Sequence, residues 1–556
     1  MLCPASLLDL RTTLFSLPLG LAIGGCTDPV TPTDAGVLTV SKEQQASWVR
    51  NFNPLVAEDL SRWPTRGGIY EPLLVFNTIR GEYVPWLATE HAWSDGGETL
   101  RFDLRPGVLW SDGEAFTAED VVFTFELLRE NPAIDLNNTA GFVSSVEATG
   151  ERGVVFHLSK PFVPGLGYIA HQPIVPEHVW RNVEDPVTFA NPDPVATGPF
   201  TEVDTFRDQL YVLGRNPRYW QPGKPAVKAL RFPALPSNDQ ATLGLLRGEV
   251  DWAGNFVPAI DRVFTERDPE HHRYWFPLVG NTVMLYPNNT RPGLDDPAVR
   301  KALSRAIDRS VLAEVAMFDY TRPADATGLS DAYTSYRSED AVEAGDWVQH
   351  DPARALEELA AAGYTRDDDG RLRRPNGEPF TLELNVVNGW SDWVRAAQII
   401  SRQLDGIGVN VSVKTYDFSA WFDRLQRGDY DLCIAWSIQG PSPYIFYRNL
   451  LSSKQRLPVG QPAASNWHRF ASEPTDALLA QLESALEPDD VQRLTHELEL
   501  AFVDAAPVIP LFLGPSWGSF NTSRFTGFPN ADDPYAKLSP NETPETLLVL
   551  TQLKPR

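Results

Sequence analysis

Cysteine is scarce in this sequence. Cys3 and Cys26 stand near the N-terminus, and only Cys433 lies in the body of the chain, so no disulfide can form within that body. Cys433 sits in the apolar run LCIAW and reads as a small buried hydrophobe. There is no H-E-x-x-H and no Cys/His spacing suited to zinc, which excludes the common zinc sites, and no cofactor is implied. His271-His272 reads as an exposed loop pair rather than a nickel site. G-x-S-x-G and the P-loop are also missing, which removes the nucleophile elbow and the phosphate cradle. Asp367-Asp368-Asp369 beside Gly370 reads as a solvated turn. Cations are outnumbered: 48 Lys and Arg face 73 Asp and Glu, for a net charge of -25. That balance excludes nucleic acid as a partner, because phosphate binding needs clustered cations, and it disfavours docking to an anionic membrane surface. Beyond the N-terminus no apolar run approaches the roughly 20 residues of a membrane span.

At 556 residues the chain exceeds one core, and two or three domains are expected. Leu14 to Gly25 (LFSLPLGLAIGG) is a short apolar run ending in small residues, which reads as the core of a secretory signal. It leads into Ile23-Gly24-Gly25-Cys26, which resembles a lipobox, with Cys26 as the lipidated residue. Residues 1–25 would then be the signal, and 26–36 the lipidated Cys and a flexible tether. The leader departs from the usual pattern in having Arg11 as its only cation, offset by Asp9.

Short alternating pieces follow from Thr99, as in TLRFDLRPGVLW, with Pro106-Gly107 and Asp112-Gly113 as turn signals. Thr117, three residues before Asp120, outlines a capping box for the run VVFTFELLRE. Asp296-Pro297 is expected to open one helix through LDDPAVRKALSRAIDRSVLAEV, and Asp351-Pro352 another through DPARALEELAAA, stopped by Gly363. A helix over Trp393–Leu404, the strand VNVSVKTYD, a helix over Phe418–Arg427 and the strand YDLCIAW then alternate, which favours an α/β layer.

Several separated motifs occur in one order: IYEPLLVFN (69–77), LRPGVLWSDGEAFTAEDVVFTFELL (104–128), ATGPF (196–200), RNPRYW (215–220), LLRGEVDWAG (245–254), DDPAVRKALSRAIDR (295–309) and DPARALEELAAAGY (351–364). As an ordered set they resemble the family 5 solute-binding proteins of ABC importers, the group of the oligopeptide- and dipeptide-binding proteins. Their residue chemistry is that of turns and helix starts, so they identify a scaffold and not a ligand. The resemblance implies an α/β fold of two lobes, periplasmic-binding-protein-like (type II), with an extra inserted α+β domain. Lobe I would be discontinuous (37–75, 195–283 and 505–556), the inserted domain would span 76–194, and lobe II 284–504. Chain crossings near 283 and 505 would form the hinge, and a ligand between the lobes would favour the closed form.

In the peptide-binding members, an Asp shortly after the residue matching Trp436 commonly holds the peptide's α-amine. Here that position falls near Gln439, and Ser437 to Tyr444 contains no acid. A neutral amide gives an ammonium no charge-assisted bond. Trp390, Trp393, Trp421, Trp436, Tyr444 and Trp467 gather in one part of the sequence, and aromatic faces with amides from Asn388, Gln439 and Asn466 suit sugar rings. The strings GPSPYIFYRNLLSS and ASNWHRF resemble the cello-oligosaccharide- and β-glucoside-binding branch of the family. The expected ligand-binding set is therefore Trp436, Ser437, Gln439, Tyr444, Asn388, Trp390, Trp393, Trp421 and Trp467, with no catalytic residues. The resemblance implies a monomeric, lipid-anchored extracytoplasmic binding protein that hands an oligosaccharide to an ABC permease and its ATPases. The same role for oligopeptides or dipeptides is the alternative. A secreted hydrolase, or a surface receptor using the cleft for a protein partner, are readings from other classes.

Overall fold

The alternation of helix and strand late in the chain produces the sheet that matters most for function. In this computed structural model, which describes residues 35–42, 44–57 and 60–556, Thr381–Val387 lies parallel to Asn410–Tyr416 on one side and to Leu432–Trp436 on the other. The helix Ser391–Gly406 makes the first crossover and Phe418–Arg427 the second. Val283–Pro287 and Ile509–Phe512 extend the sheet antiparallel, giving five strands. The first of the three parallel strands thus sits between the other two. The chain passes from it to one edge and then crosses over it to the other, and such a reversal in strand order places a ligand crevice beyond the carboxyl ends of Thr381–Val387 and Leu432–Trp436. Leu432 to Ala435 are fully buried, as a central strand covered on both faces requires.

A seven-stranded sheet is built around Val37–Ser41, which runs parallel to Ala229–Pro233 and to Trp252–Ala253. Its outer strands come from 202–214, His272–Tyr274 and Ser519–Asn521. A four-stranded antiparallel sheet is formed by Ala88–Ser94, Thr99–Leu104, Gly153–Leu158 and Val143–Thr149. The helix Ala118–Glu130 packs on it, opened by the expected capping box: the Thr117 amide donates to the Asp120 carboxylate at 2.9 Å. Ile509–Phe512 lies past the lobe boundary expected at 505, yet pairs with Val283–Pro287 in the five-stranded sheet.

The Asp-Pro helix starts form as read. Asp296 caps Pro297–Arg305 and Asp351 caps Pro352–Ala361. The long helix expected through Val315 is instead interrupted after Arg305, because Asp308 turns its carboxylate onto the amides of Ser310 and Val311 and starts a new turn. Among the described residues no helix is long and apolar enough to cross a membrane. The expected signal and the expected lipidation site at Cys26 fall outside the described residues.

Candidate functional site

The crevice at the carboxyl ends of the central strands is where Trp390 and Trp436 emerge. Both are half-buried, with ring centroids 6.0 Å apart. Trp436 is the hub of the aromatic cluster: Trp393, Trp421, Trp467, Phe418 and Phe422 all lie 5.4 to 6.4 Å from it. The tryptophans singled out in sequence therefore converge in space, but they cover one another. Trp393, Trp421 and Trp467 are 6%, 0% and 3% exposed, and the Trp467 indole N–H is spent on the Ala463 carbonyl. A sugar platform needs open faces, so for these three the expected ligand role gives way to packing. Tyr444 is buried too, its hydroxyl donating to Glu483 Oε1 at 2.8 Å. Asn466 is consumed by the backbone of Ser452 and Phe470. Asn388 is exposed, and Ser437 is fully buried with its amide on the Thr282 carbonyl.

Gln439, of the expected set, lines a cavity. A cavity of about 240 Å³ lies between the segment 136–171 and the segment 438–465. The Gln439 amide nitrogen donates to the Gly280 carbonyl at 2.7 Å and to Ser330 Oγ at 2.6 Å, which leaves the amide oxygen as its spare polar atom. The next residue is pinned harder. The Tyr333 hydroxyl donates to the Gly440 carbonyl at 2.7 Å and accepts from the Gly440 amide at 2.9 Å. A Cβ on Gly440 would stand 2.4 Å from Ile445 Cδ1, so this rim has no slack. Gly167 closes the opposite side, where an added Cβ would meet Pro441 and Ile445 at 3.4 Å.

No Asp or Glu lines the cavity. Asp135, next to Leu136 of the lining, and Glu483, which packs behind the helix Pro443–Leu451 through Tyr444, are already engaged. Asp135 accepts from the Thr139 amide and hydroxyl and from the Ala140 amide. Glu483 takes the Tyr444 hydroxyl and the Lys160 ammonium. The cavity's fixed charge is Arg448, half-buried on the helix Pro443–Leu451. One guanidinium nitrogen donates to the Tyr168 hydroxyl at 3.2 Å, and the group sits 5.3 Å from the centre of that ring. Among the described residues Arg448 has no carboxylate partner. His171 contributes no charge near neutrality, because burial and the Lys537 ammonium push it down to about 4. Its Nε2 accepts from the Phe76 amide at 3.2 Å, which places the proton on Nδ1.

Arg448, Tyr168, His171, Asn137 and Asn138 were missed in the sequence. They belong to segments hundreds of residues apart, and the one local signal was a lone cation inside the apolar stretch YIFYRNLL. His271-His272 also differs from expectation. His272 is buried in a strand, stacked on Phe264 at 4.0 Å with Nδ1 bonded to the Phe264 carbonyl. Among the described residues no group of three His, Cys, Asp or Glu could hold a metal ion.

Known proteins agree with this architecture. A family model described as "Bacterial extracellular solute-binding proteins, family 5 Middle" matches residues 82–457. A nickel-binding periplasmic protein of Escherichia coli is 26% identical over 379 residues, covering 66% of this chain and 69% of that protein. A probable di/tripeptide-binding protein of Pseudomonas aeruginosa is 26% identical over 528 residues, covering 90% of this chain and 93% of that protein. A periplasmic oligopeptide-binding protein of Thermotoga maritima, crystallised with mannohexaose, shares the fold with a TM-score of 0.84 at 24% identity, over 94% of this chain and 99% of that one. The strand order, the crevice at the carboxyl ends of the central strands and the extent of the family match lead to one conclusion: the chain belongs to the bacterial extracellular solute-binding proteins, family 5.

Proposed function

We propose that this protein captures a short peptide outside the cytoplasm and delivers it to an ABC permease, and that the carboxylate of the peptide is received by Arg448. The observation that carries this reading is the cavity's charge: one guanidinium without a carboxylate partner, and no acid in the lining. A carboxylate gives such a guanidinium a charge-assisted, bidentate partner that a neutral sugar cannot supply. The α-amine would find no counter-charge in this cavity, so it is expected to point to solvent. A volume of about 240 Å³ suits one or two residues rather than a long chain. The di/tripeptide-binding name of the Pseudomonas relative agrees with that size. The oligosaccharide reading loses ground because the aromatic faces on which it rested pack against each other.

In this reading the five-stranded sheet anchors one lobe and the seven-stranded sheet the other. The protein is a binder without catalytic residues, and Cys26 tethers it to the membrane. The test is a thermal-shift panel of di- to pentapeptides beside cello-, xylo- and manno-oligosaccharides. Saturating ligand at about 100 times its Kd adds roughly 2.7 kcal/mol of stability, enough for a clear rise in Tm. A shift with peptides supports the proposal, and a shift with neutral oligosaccharides alone sinks it.

A further inference from the structure

A second and larger space lies away from the crevice. It is a groove of about 1100 Å³ formed by the segments 77–106, 220–224 and 526–554. Its ionisable lining consists of Arg80, Arg105, Lys224 and Lys554 against Asp533, together with the phenol of Tyr535. Four cations to one carboxylate inverts the balance of a chain whose carboxylates outnumber its cations 73 to 48.

These cations are poorly compensated. Arg105 is held in place by donating Nε to the Trp86 carbonyl at 2.6 Å and by lying 4.4 Å from the centre of the Trp220 ring. Among the described residues no carboxylate forms an ion pair with it; the buried Glu71 acts on it only through space. Lys224 and Lys554 likewise have no ion-pair partner among the described residues, and both line this groove; burial, and then the Lys554 ammonium, lower the pKa of Lys224. Arg80 has an exposed partner in Glu82 at 3.6 Å. Glu71 faces the groove from behind its wall, but its carboxylate is buried and engaged by the N–H groups of Trp86 and Trp220 and the hydroxyl of Tyr219. Two ammonium groups without an ion-pair partner among the described residues, lining one groove with a guanidinium fixed on an indole, form a site that an anion with more than one charge would suit. Trp220, Pro85 and Pro106 supply apolar surface next to it.

We propose that this groove is a second ligand site, selective for a small polyanion carrying two or more carboxylate or phosphate groups. It shares no lining residue with the cavity at Gln439. The test is isothermal titration of the full-length protein with citrate and, separately, pyrophosphate, against chloride at matched ionic strength. The two probes separate carboxylate from phosphate preference. One-site binding of at least one anion is expected. It should weaken on the order of tenfold when Lys224→Gln and Lys554→Gln are combined, since two contacting charges are lost. The same charge removed elsewhere, by Lys414→Gln with Arg493→Gln, should leave the affinity unchanged. Both groove lysines are at least partly exposed, and an unchanged Tm certifies the fold of each variant. No anion binding above chloride overturns the proposal, as does equal affinity in the wild type and the groove variant, or equal loss in the two charge-removal variants.

Discussion

Replacing Arg448 by Gln removes the cavity's fixed positive charge while keeping a side chain that can reach the Tyr168 hydroxyl. Its protein contacts are one hydrogen bond at 3.2 Å and a ring face at 5.3 Å. The fold should therefore lose about 1 kcal/mol or less. A charge-assisted bond to a ligand carboxylate is worth about 1.5–3 kcal/mol, which predicts peptide binding weaker by about 10- to 150-fold. Calorimetry on wild type and Arg448→Gln, each with a free peptide and with the same peptide amidated at its C-terminus, forms a complete cycle. Amidation should cost the wild type about as much as the substitution does, and the two losses should not add. If wild type binds the free and amidated peptides equally, or the losses are additive, the carboxylate does not meet Arg448 and the reasoning fails.

Three other outcomes follow from the packing. Trp421→Ala should destabilise the fold by about 3–5 kcal/mol in urea titration, because the side chain is fully buried among aromatic rings; intact stability with lost sugar binding would restore the platform reading. Tyr333→Phe frees both backbone groups of Gly440 and should cost about 1–3 kcal/mol of stability and weaken ligand binding, while unchanged binding would show that the rim does not matter. Stability should also fall between pH 6.5 and 8. Burial raises Glu71 and Glu499 to about 7 and Asp392 to about 6, so the folded state retains protons that the unfolded chain has released. His171 and His468, lowered to about 4 and about 3, have the opposite effect, but only below the ordinary histidine range near 6.5. Glu499→Gln should flatten the fall in Tm above pH 6.5, and an unchanged slope would count against the assignment.

Local signals carried much of the fold. Thr117, Asp296 and Asp351 announced helix starts because capping depends on neighbours within four residues. The helix Phe418–Arg427 and the strand ending at Trp436 were legible from periodicity. The break at Asp308 was not, since an Asp inside an apolar-periodic run can cap a new turn or face solvent with the same sequence around it. The site was legible only in part. An absent acid is visible in sequence, and Gln439 does line the cavity. Which aromatic faces stay open is decided by side chains meeting across the fold, so Trp421 and Trp467 read the same whether covered or free. Arg448 and Tyr168, 280 positions apart, become neighbours only when the whole chain is folded.

The narrow seam where Gly167 meets Pro441 and Ile445 has a consequence for how such a protein can change its diet. The wall 136–171 and the wall 438–465 are secured to different strands, and each can be rewritten without disturbing the hydrogen-bond ladder that holds the other. Selectivity for a new solute can thus be gained by altering one wall while the other keeps its grip on the part that old and new solutes share. The rim beside it tolerates little at Gly440, where an added Cβ would stand 2.4 Å from Ile445 Cδ1, whereas one at Gly167 would only touch Pro441 and Ile445 at 3.4 Å. Variation is expected to accumulate at positions such as Asn137 and Gln455, beside a glycine contact that stays fixed.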